Sequence, residues 1–286
     1  MEMMGIINVT PDSFFAGSRT AETQAAVERA DRLIQEGASF IDVGGESTRL
    51  MSPMYFKRQS GASFIDVGGE STRPGAEKVE VREEIDRVCP VIETIRRKHP
   101  EILLSVDTYN AETAEAAVAA GVDIINDISG LTFDENMAAV AAKAGVPVIL
   151  MHTGGRPDVM QKDPHYDDVV QEVYDYLQRQ INYAVASGIS REKIIIDLGI
   201  GFGKTFEHNM TLLRNIDRFA DLNCPQLLAV SRKTFIGALL DEKDPADRLY
   251  GTIAVTLYGQ LHGIEMARVH DVKENCDAVR MMEALR

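Results

Sequence analysis

The chain has 286 residues, of which 45% are hydrophobic, enough for the buried core of one large domain or two small ones. Its formal charge of −14, from 30 basic and 44 acidic residues, argues against nucleic acid as the main partner. No apolar run of about 18 residues predicts a membrane span. Three scattered cysteines predict reduced thiols in a cytoplasmic protein rather than a zinc site.

Short apolar strands alternate with helical segments along the chain, and a glycine often marks the junction. Segments such as AAGVDIIND and KAGVPVILMH place that glycine just past a helix end, where it can adopt the left-handed cap conformation. The apolar runs after these glycines are short and rich in Val and Ile, as strands buried on both faces require. We predict strands near 4–9, 38–43 or 62–67, 102–106, 122–126, 146–151, 193–197, 226–230 and 264–269, each followed by a helix.

Eight strand–helix units predict an α/β fold in which residues 1–286 form a single domain, a (β/α)8 TIM barrel. An open doubly wound sheet is the alternative. In that architecture a glycine-rich first turn leads into a helix, and the segment GIINVTPDSFF contains no such turn.

One 13-residue sequence is written twice: GASFIDVGGESTR occupies 37–49 (copy one) and, 24 positions later, 61–73 (copy two). Two copies without a third do not make a solenoid, whose units must stack. We interpret the repeat as a tandem duplication of a 24-residue segment at about 37–73 within one domain. Only one copy can fill one strand position. Removing one period leaves 262 residues, close to the roughly 250 typical of the barrel.

Polar residues occur at the end of most of the predicted strands. In a barrel of this kind the functional site lies where the carboxyl ends of the strands emerge. One such residue means little, because an Asp at a strand end is often only a helix cap. Two carboxylates, two carboxamides and several cations facing one mouth predict a ring-shaped polar ligand with an anionic tail. These residues are Asn8, Asp107, Asn126, His152, Asp197, Ser231, Arg232, Lys233, Arg268 and His270.

A set of ordered motifs across nearly the whole chain resembles dihydropteroate synthase. This family makes 7,8-dihydropteroate from a pterin methyl diphosphate and 4-aminobenzoate, releases pyrophosphate and is assisted by Mg²⁺. The resemblance also implies a homodimer through the later helices. The motifs are NVTPDSF at 8–14, GGESTRPG at 68–75, SVDTYN at 105–110, NDISG at 126–130, MH at 151–152, IIIDLGIGFGK at 194–204, SRKTFIG at 231–237 and RVHDV at 268–272.

The resemblance assigns a pterin-binding role to residues at several strand ends. Asp197 matches the carboxylate that accepts two parallel N–H bonds from the aminopyrimidine edge, and a helix-capping Asp is the alternative interpretation. Asn126 and Asp107 match further contacts to this edge, and Lys233 matches the residue that reaches the carbonyl side of the ring. The side chains that would line the pocket, unless they serve only as core packing, are Met151 and Phe202.

The same resemblance assigns residues to the diphosphate and to 4-aminobenzoate. Arg268 and His270 alternate along one strand end, so both can face one side, and they match the diphosphate contacts. Asn8 matches the residue for Mg²⁺ and diphosphate; one protein ligand is consistent with a metal that keeps most of its waters. The expected catalytic residues are Asn8, Lys233, Arg268 and His270. The residues matched to 4-aminobenzoate are Thr234, at a helix start, and Thr72, Arg73 and Pro74 in a covering loop.

The two copies lead into different sequences. Copy two runs into Pro–Gly, as the family motif does, whereas Arg49 of copy one precedes Leu50. We therefore expect copy two to supply the strand and the loop with Thr72 and Arg73, leaving Thr48 and Arg49 displaced. A mixed use, with the strand from copy one and the loop from copy two, is also open.

The first loop departs from the family pattern, reading SFFAGSR where many members have SFSDGG. The additional Phe resembles sulfonamide-tolerant forms of the enzyme, so we expect reduced sulfonamide sensitivity. Two other functions stay open: a pterin-binding scaffold whose catalysis the duplication impairs, and a pterin-dependent methyltransferase. The methyltransferase has no diphosphate to bind, so Arg268 and His270 would lack a purpose there.

Overall fold

The structure, a computed structural model, describes residues 1–8, 16–38, 40–44, 64–67, 80–156 and 160–286; for 7–8, 16–22, 40–44 and 64–67 it describes the backbone alone. Strands and helices alternate along these ranges. The strands are β1 (Glu2–Asn8), β2 (Phe40–Gly44), β3 (Phe64–Val67), β4 (Leu103–Asp107), β5 (Ile124–Asp127), β6 (Val148–Met151), β7 (Ile194–Asp197), β8 (Gln226–Ala229) and β9 (Met266–Val269). The helices are α1 (Ala16–Gln35), α2 (Val81–Lys98), α3 (Ala111–Ala120), α4 (Met137–Ala144), α5 (Val169–Ala186), α6 (Phe206–Arg214), α7 (Thr234–Leu240), α8 (Leu249–Leu261) and α9 (Val272–Ala284).

The limits of these helices follow from local sequence. The predicted glycine caps are confirmed at Gly121 and Gly145, whose φ angles of 113° and 65° lie in the left-handed region that glycine adopts without strain. At the other end of a helix, Asp168 accepts the backbone N–H bonds of Val170 and Gln171 and so fixes where α5 begins. Among the described helices, none combines the length with the apolar character that crossing a bilayer requires.

All described strands pair in parallel and in chain order, and β9 also pairs with β1 from Glu2↔Met266 to Gly5↔Val269. The sheet therefore curls until its first and last strands meet. Helices cover its outer face, as a parallel sheet requires; Val88 and Ile92 of α2 pack in one buried cluster with Leu104 of β4. The predicted α/β class and parallel sheet are confirmed.

The inner face of the sheet has an apolar floor. It consists of a buried cluster contributed by five strands, with Ile195 of β7 packed against it. Because side chains two positions apart lie on the same face of a strand, the residue two positions after each floor residue also faces inward, nearer the carboxyl end. The floor residues of the cluster are Met4, Ile124, Ile149, Leu227 and Met266.

The duplicated sequence gives two strands with the same pairing partners. Ile41 of β2 and Ile65 of β3 both pair with Leu104 of β4, and Asp42 and Asp66 both pair with Ile6 of β1. Neighbouring strands lie about 4.8 Å apart, so the position between β1 and β4 suits a single strand. Nine strands therefore occur in the described ranges instead of the predicted eight, because both copies adopt the strand that this second-strand position requires.

Proline substitutions test whether either copy can fill the second-strand position. Proline removes a backbone donor and is not accommodated in a central strand. We expect Ile41→Pro and Ile65→Pro each to lower the melting temperature by no more than about 4 °C, because the other copy replaces the damaged one. The double variant leaves no intact strand and is expected to lack a cooperative thermal transition by circular dichroism. A single variant as damaged as the double one would show that only that copy fills the position.

Candidate active site at the carboxyl ends of the strands

The sequence-predicted site residues of β4 to β9 lie together at the carboxyl end of the sheet. Asp107 and Met151 are the last residues of β4 and β6, and each pairs with a residue of the next strand: Asp107 with Asn126, and Met151 with Asp197. Asn126, Met151 and Asp197 each lie two positions after a residue of the floor or packed against it, and Asp107 lies beside Asn126. These four residues therefore lie directly above the apolar floor. All four are buried.

An ion pair crosses the inside of the sheet. The Arg268 Nη2 atom of β9 donates to the Asp107 Oδ2 atom of β4 over 2.9 Å, although β4 and β9 are not neighbouring strands. This contact shows that both side chains point into the interior. Burial lowers the pKa of Arg268 to about 10, and the guanidinium stays protonated at neutral pH. Arg268 is thus a largely buried cation held by a buried carboxylate.

Lys233 brings a second cation to the same place from the loop between β8 and α7. Its Nζ atom donates to the carbonyl oxygen of Ile200 and lies 4.6 Å from the centroid of the Phe202 ring. Burial lowers the pKa of Lys233 to about 8, and the carboxylates of Asp197 and Asp107 oppose this shift. Lys233 therefore lies within the electrostatic field of both carboxylates.

Asp197 ends β7 and does not cap the next helix. Its Oδ1 atom accepts the backbone N–H of Gly199 over 2.8 Å, whereas α6 is capped by Thr205, which accepts the N–H of His208. Burial raises the pKa of Asp197, while Lys233, the Gly199 N–H and Lys204 act in the opposite direction. The helix-cap interpretation of Asp197 is wrong, and its carboxylate belongs to the charged cluster at the mouth.

An apolar cluster borders these charges. Met151 and Phe202 pack with Tyr109, Ile128 and Met160, and this cluster is separate from the floor. Sulfur and aromatic groups of this kind give a flat, polarisable wall suited to a planar ring. Met151 and Phe202 therefore pack in one apolar cluster, and this packing is compatible with their predicted role in lining the pocket.

The two residues predicted to share the diphosphate meet different partners. The His270 Nδ1 atom lies 2.9 Å from the Ser231 hydroxyl, which also accepts the His270 backbone N–H. Arg268 instead contacts Asp107 on the far side of the interior. Arg232 pairs with Asp271, so it does not join the cluster formed by its neighbour in sequence.

Some predicted site residues are exposed or lie beyond the described side chains. Thr234 is the first residue of α7 and is exposed. Asn8 is the last residue of β1, at the same end of the sheet as Asp107, but only its backbone is described. Within the described ranges, no group of three or more His, Cys, Asp or Glu side chains is arranged to hold a metal ion. The predicted residues that lie outside the described ranges are Thr48, Arg49, Thr72, Arg73 and Pro74.

Sequence reasoning did not single out Lys204. This lysine is 4% exposed, and its Nζ atom contacts His152 and two backbone carbonyls beside the candidate site. The only signal was its place in the segment IIIDLGIGFGK, directly after Phe202 and Gly203. His152 was predicted at a strand end, but its contacts with Lys204 and Tyr176 follow only from the fold.

A model of one protein family matches most of the chain. The family, described as "Pterin binding enzyme", matches residues 4–59 and 54–270. The two matched stretches overlap at 54–59, in the segment that separates copy one from copy two. The match therefore passes through copy one and begins anew before copy two.

Relatives that carry one shared name cover the chain almost completely. The dihydropteroate synthase of Escherichia coli K12 is 41% identical over 282 residues, covering 99% of this chain and 90% of the relative. That of Synechocystis sp. is 39% identical over 283 residues, covering 99% and 89%.

Solved structures give the same result. The Xanthomonas albilineans dihydropteroate synthase with 4-aminobenzoic acid has a TM-score of 0.84 at 39% identity, covering 99% of this chain and 92% of that one. The Yersinia pestis enzyme with a sulfonamide drug complex has a TM-score of 0.85 at 38% identity, covering 100% and 94%. The chain belongs to the dihydropteroate synthase family of pterin-binding transferases.

Proposed function

We propose that this transferase joins (7,8-dihydropterin-6-yl)methyl diphosphate to 4-aminobenzoate, giving 7,8-dihydropteroate and pyrophosphate, a step of folate biosynthesis. One observation carries the residue-level proposal: Asp107, Asp197, Lys233 and Arg268 meet at one end of the sheet, beside the wall that contains Phe202. A neutral heterocycle with an anionic arm matches this combination of acceptors, donors and a flat apolar surface.

The pterin would lie against the wall with its hydrogen-bonding edge toward the carboxylates. The Asp197 carboxylate can accept two N–H bonds from the aminopyrimidine edge, which presents donors at the spacing of its two oxygens. Asn126 can donate and accept at once, and Asp107 provides a second acceptor for the same edge. Lys233, within reach of Phe202 and Ile200, would donate to the carbonyl side of the ring.

The diphosphate would be received by Arg268 and His270, whose strand ends at this mouth. Mg²⁺ fits the residues present, because Asn8 ends β1 at the same edge of the sheet and one amide oxygen is enough for a metal whose other ligands are water and diphosphate. When bound, the metal would neutralise charge on the departing diphosphate. Arg268 and His270 would stabilise the charge on the remaining oxygens of the diphosphate.

The reaction needs no nucleophile from the protein. The amine of 4-aminobenzoate attacks the pterin methylene carbon, the C–O bond to the diphosphate breaks, and the amine loses a proton. Because the electron-rich pterin can spread positive charge from the methylene, we favour a dissociative displacement. The protein would therefore contribute by orienting both substrates and by excluding water, which would otherwise consume the activated pterin.

The 4-aminobenzoate carboxylate would meet Thr234 at the start of α7, beside Lys233. We propose that Thr72, Arg73 and Pro74 of copy two form the loop over this substrate, since copy two alone is followed by the Pro–Gly of the family motif. The solved structure of the Xanthomonas albilineans relative with 4-aminobenzoic acid supports this substrate class.

For the fold, we propose a single (β/α)8 barrel domain over 1–286 that carries a tandem duplication. The support is the shared pairing of β2 and β3 with β1 and β4, which makes the two copies equivalent in one strand position. Counting that position once leaves the eight strands of the barrel. The overlap of the two family-model matches between the copies supports the duplication.

We also propose a homodimer and a cytoplasmic location. Large apolar side chains are exposed on the later helices, among them Tyr250 and Leu261 of α8 and Met281 of α9, and a second copy could cover them. Cys89, Cys224 and Cys276 are free thiols, as a reducing compartment favours. Reduced sulfonamide sensitivity remains our proposal on the first-loop sequence SFFAGSR.

Pyrophosphate release distinguishes an active enzyme from an impaired pterin-binding scaffold. We expect release from the pterin diphosphate only when 4-aminobenzoate is present, measured by a coupled phosphate assay. Asp197→Asn is expected to lower kcat/KM for the pterin substrate about 100-fold, because it removes one of two acceptors and the charge. The control Asp175→Asn alters an exposed carboxylate of α5 and is expected to change nothing. Pterin binding without any release would favour the scaffold.

The charge of Lys233 predicts a pH dependence. Its pKa is lowered to about 8, so the ammonium form is present below this pH and is lost as the pH rises through it. We expect kcat/KM for the pterin substrate to fall about tenfold per unit above pH 8. Lys233→Arg keeps its charge and is expected to abolish this alkaline fall, whereas exposed Lys143→Gln retains it. An unchanged alkaline fall in Lys233→Arg would assign it to another group.

The two copies can be separated by their arginines. We expect Arg73→Ala to raise the KM for 4-aminobenzoate about tenfold while Arg49→Ala leaves it unchanged, because only copy two leads into the Pro–Gly segment. Steady-state kinetics at saturating pterin diphosphate provides the measurement, and each variant is the control for the other. Loss of 4-aminobenzoate binding in Arg49→Ala alone would assign the loop to copy one.

A further inference from the structure

Lys204 donates all of its hydrogen bonds inside the protein. Its Nζ atom lies 2.9 Å from each of three acceptors: His152 Nδ1, the Gly199 carbonyl and the Phe202 carbonyl. Three contacts occupy all the hydrogen-bonding positions of the Nζ atom. All three acceptors belong to the two segments directly after β6 and β7, the strands that end at Met151 and Asp197.

The segment after β7 is held mainly through its carbonyl groups. Each of the five carbonyls of residues 199–203 accepts a bond from a side chain: Lys204 supplies two, and Lys233, Gln161 and Tyr166 supply one each. The other donors are partly or largely solvent-accessible, whereas Lys204 is 4% exposed. Both lysines also contact Phe202: Lys204 through the Phe202 carbonyl, and Lys233 through its ring.

The segments after β6 and β7 approach each other too closely for side chains. A Cβ atom at Gly199 would lie 1.8 Å from the His152 carbonyl oxygen, and one at Gly203 would lie 2.6 Å from the Gly154 Cα atom. Both Gly199 and Gly203 also have positive φ angles, 64° and 62°. Lys204 therefore joins two backbones that are already in contact.

Burial lowers the pKa of Lys204 well below its usual value, and the charged groups around it act on this pKa in both directions. His152 accepts at Nδ1, and its pKa is lowered well below the usual value by burial and by Lys204, so the ring is neutral. Asp197 is the carboxylate that opposes the effect of burial on the pKa of Lys204, and Lys233 is the nearby cation that adds to it. Lys204 in turn favours the ionised form of Asp197.

We propose that Lys204 is a positioning residue for the pterin, which it never touches: it fixes the Phe202 wall through the Phe202 carbonyl and the orientation of Asp197 through Gly199, whose N–H the Asp197 carboxylate accepts. This inference rests on the proposed function of the site. Because the 4-aminobenzoate residues come from other segments, Lys204 acts on one substrate and not on the other.

The substitution Lys204→Met keeps the length of the side chain and removes its three hydrogen-bonding contacts. We expect it to raise the Kd of 6-hydroxymethylpterin, measured by calorimetry, about tenfold or more, with an intermediate increase in Lys204→Gln, which keeps an amide donor. The KM for the pterin diphosphate is expected to rise in parallel, while the KM for 4-aminobenzoate stays within about twofold of the wild-type value.

Lys193→Met is the matched control, since Lys193 also donates to a glycine carbonyl, that of Gly145, but at the opposite end of β7. It is expected to leave both substrates unaffected. If Lys204→Met does not fold, His152→Leu removes one of the three contacts and is expected to raise the pterin Kd about threefold. Wild-type pterin affinity in folded Lys204 variants, or equal losses for both substrates, would overturn the positioning role.

The outcomes separate this inference from the proposed function. A wild-type chain that binds 6-hydroxymethylpterin but releases no pyrophosphate removes the proposed function, while the Kd comparison still decides the role of Lys204. A wild-type chain that binds no pterin overturns both. Turnover by the wild type together with unchanged pterin affinity in Lys204→Met overturns the positioning role alone.

Discussion

The buried charges at the mouth of the sheet compensate one another, and the site depends on this balance. Asp107 holds Arg268 directly, and Asp107 and Asp197 together limit how far burial lowers the pKa of Lys233. A single buried charge would instead be expelled or neutralised, because leaving it unpaired costs several kcal/mol. The arrangement therefore holds opposite charges together at this largely buried end of the sheet. In the proposed function, a neutral heterocycle would add no charge to this balance, and the cations would receive its anionic arm.

The parts of the site that sequence could predict are those fixed by a strand's own geometry. In a strand the backbone alone decides that residues two apart share a face, so a floor residue and a site residue are linked locally, as Ile195 and Asp197 or Met266 and Arg268 are. Glycine followed by a short apolar run likewise marks a helix end and a buried strand with no tertiary information. The α/β class and the common location of these strand ends follow from such local rules.

The rest depends on contacts between loops, which local sequence does not encode. Ser231, Arg232 and Lys233 are consecutive, yet they contact His270, Asp271 and the segment after β7 respectively. Arg232 has a φ angle of 57°, and this turn of the backbone separates the directions of its neighbours. The contacts of Lys204 arise in the same way, from segments 52 positions apart in sequence.

In the proposed function, the duplicated sequence affects the binding of the two substrates unequally. Identical strands have identical pairing energy, so the choice between β2 and β3 is made by the chain that flanks them, and closing a longer loop adds only a slowly growing cost. The described charged side chains that meet at the mouth come from β4 onward and lie outside both copies. In the proposed function these side chains bind the pterin, so we expect pterin binding not to depend on which copy fills the second-strand position. The choice of copy does decide which sequence follows the second strand, and in our proposal that sequence covers 4-aminobenzoate.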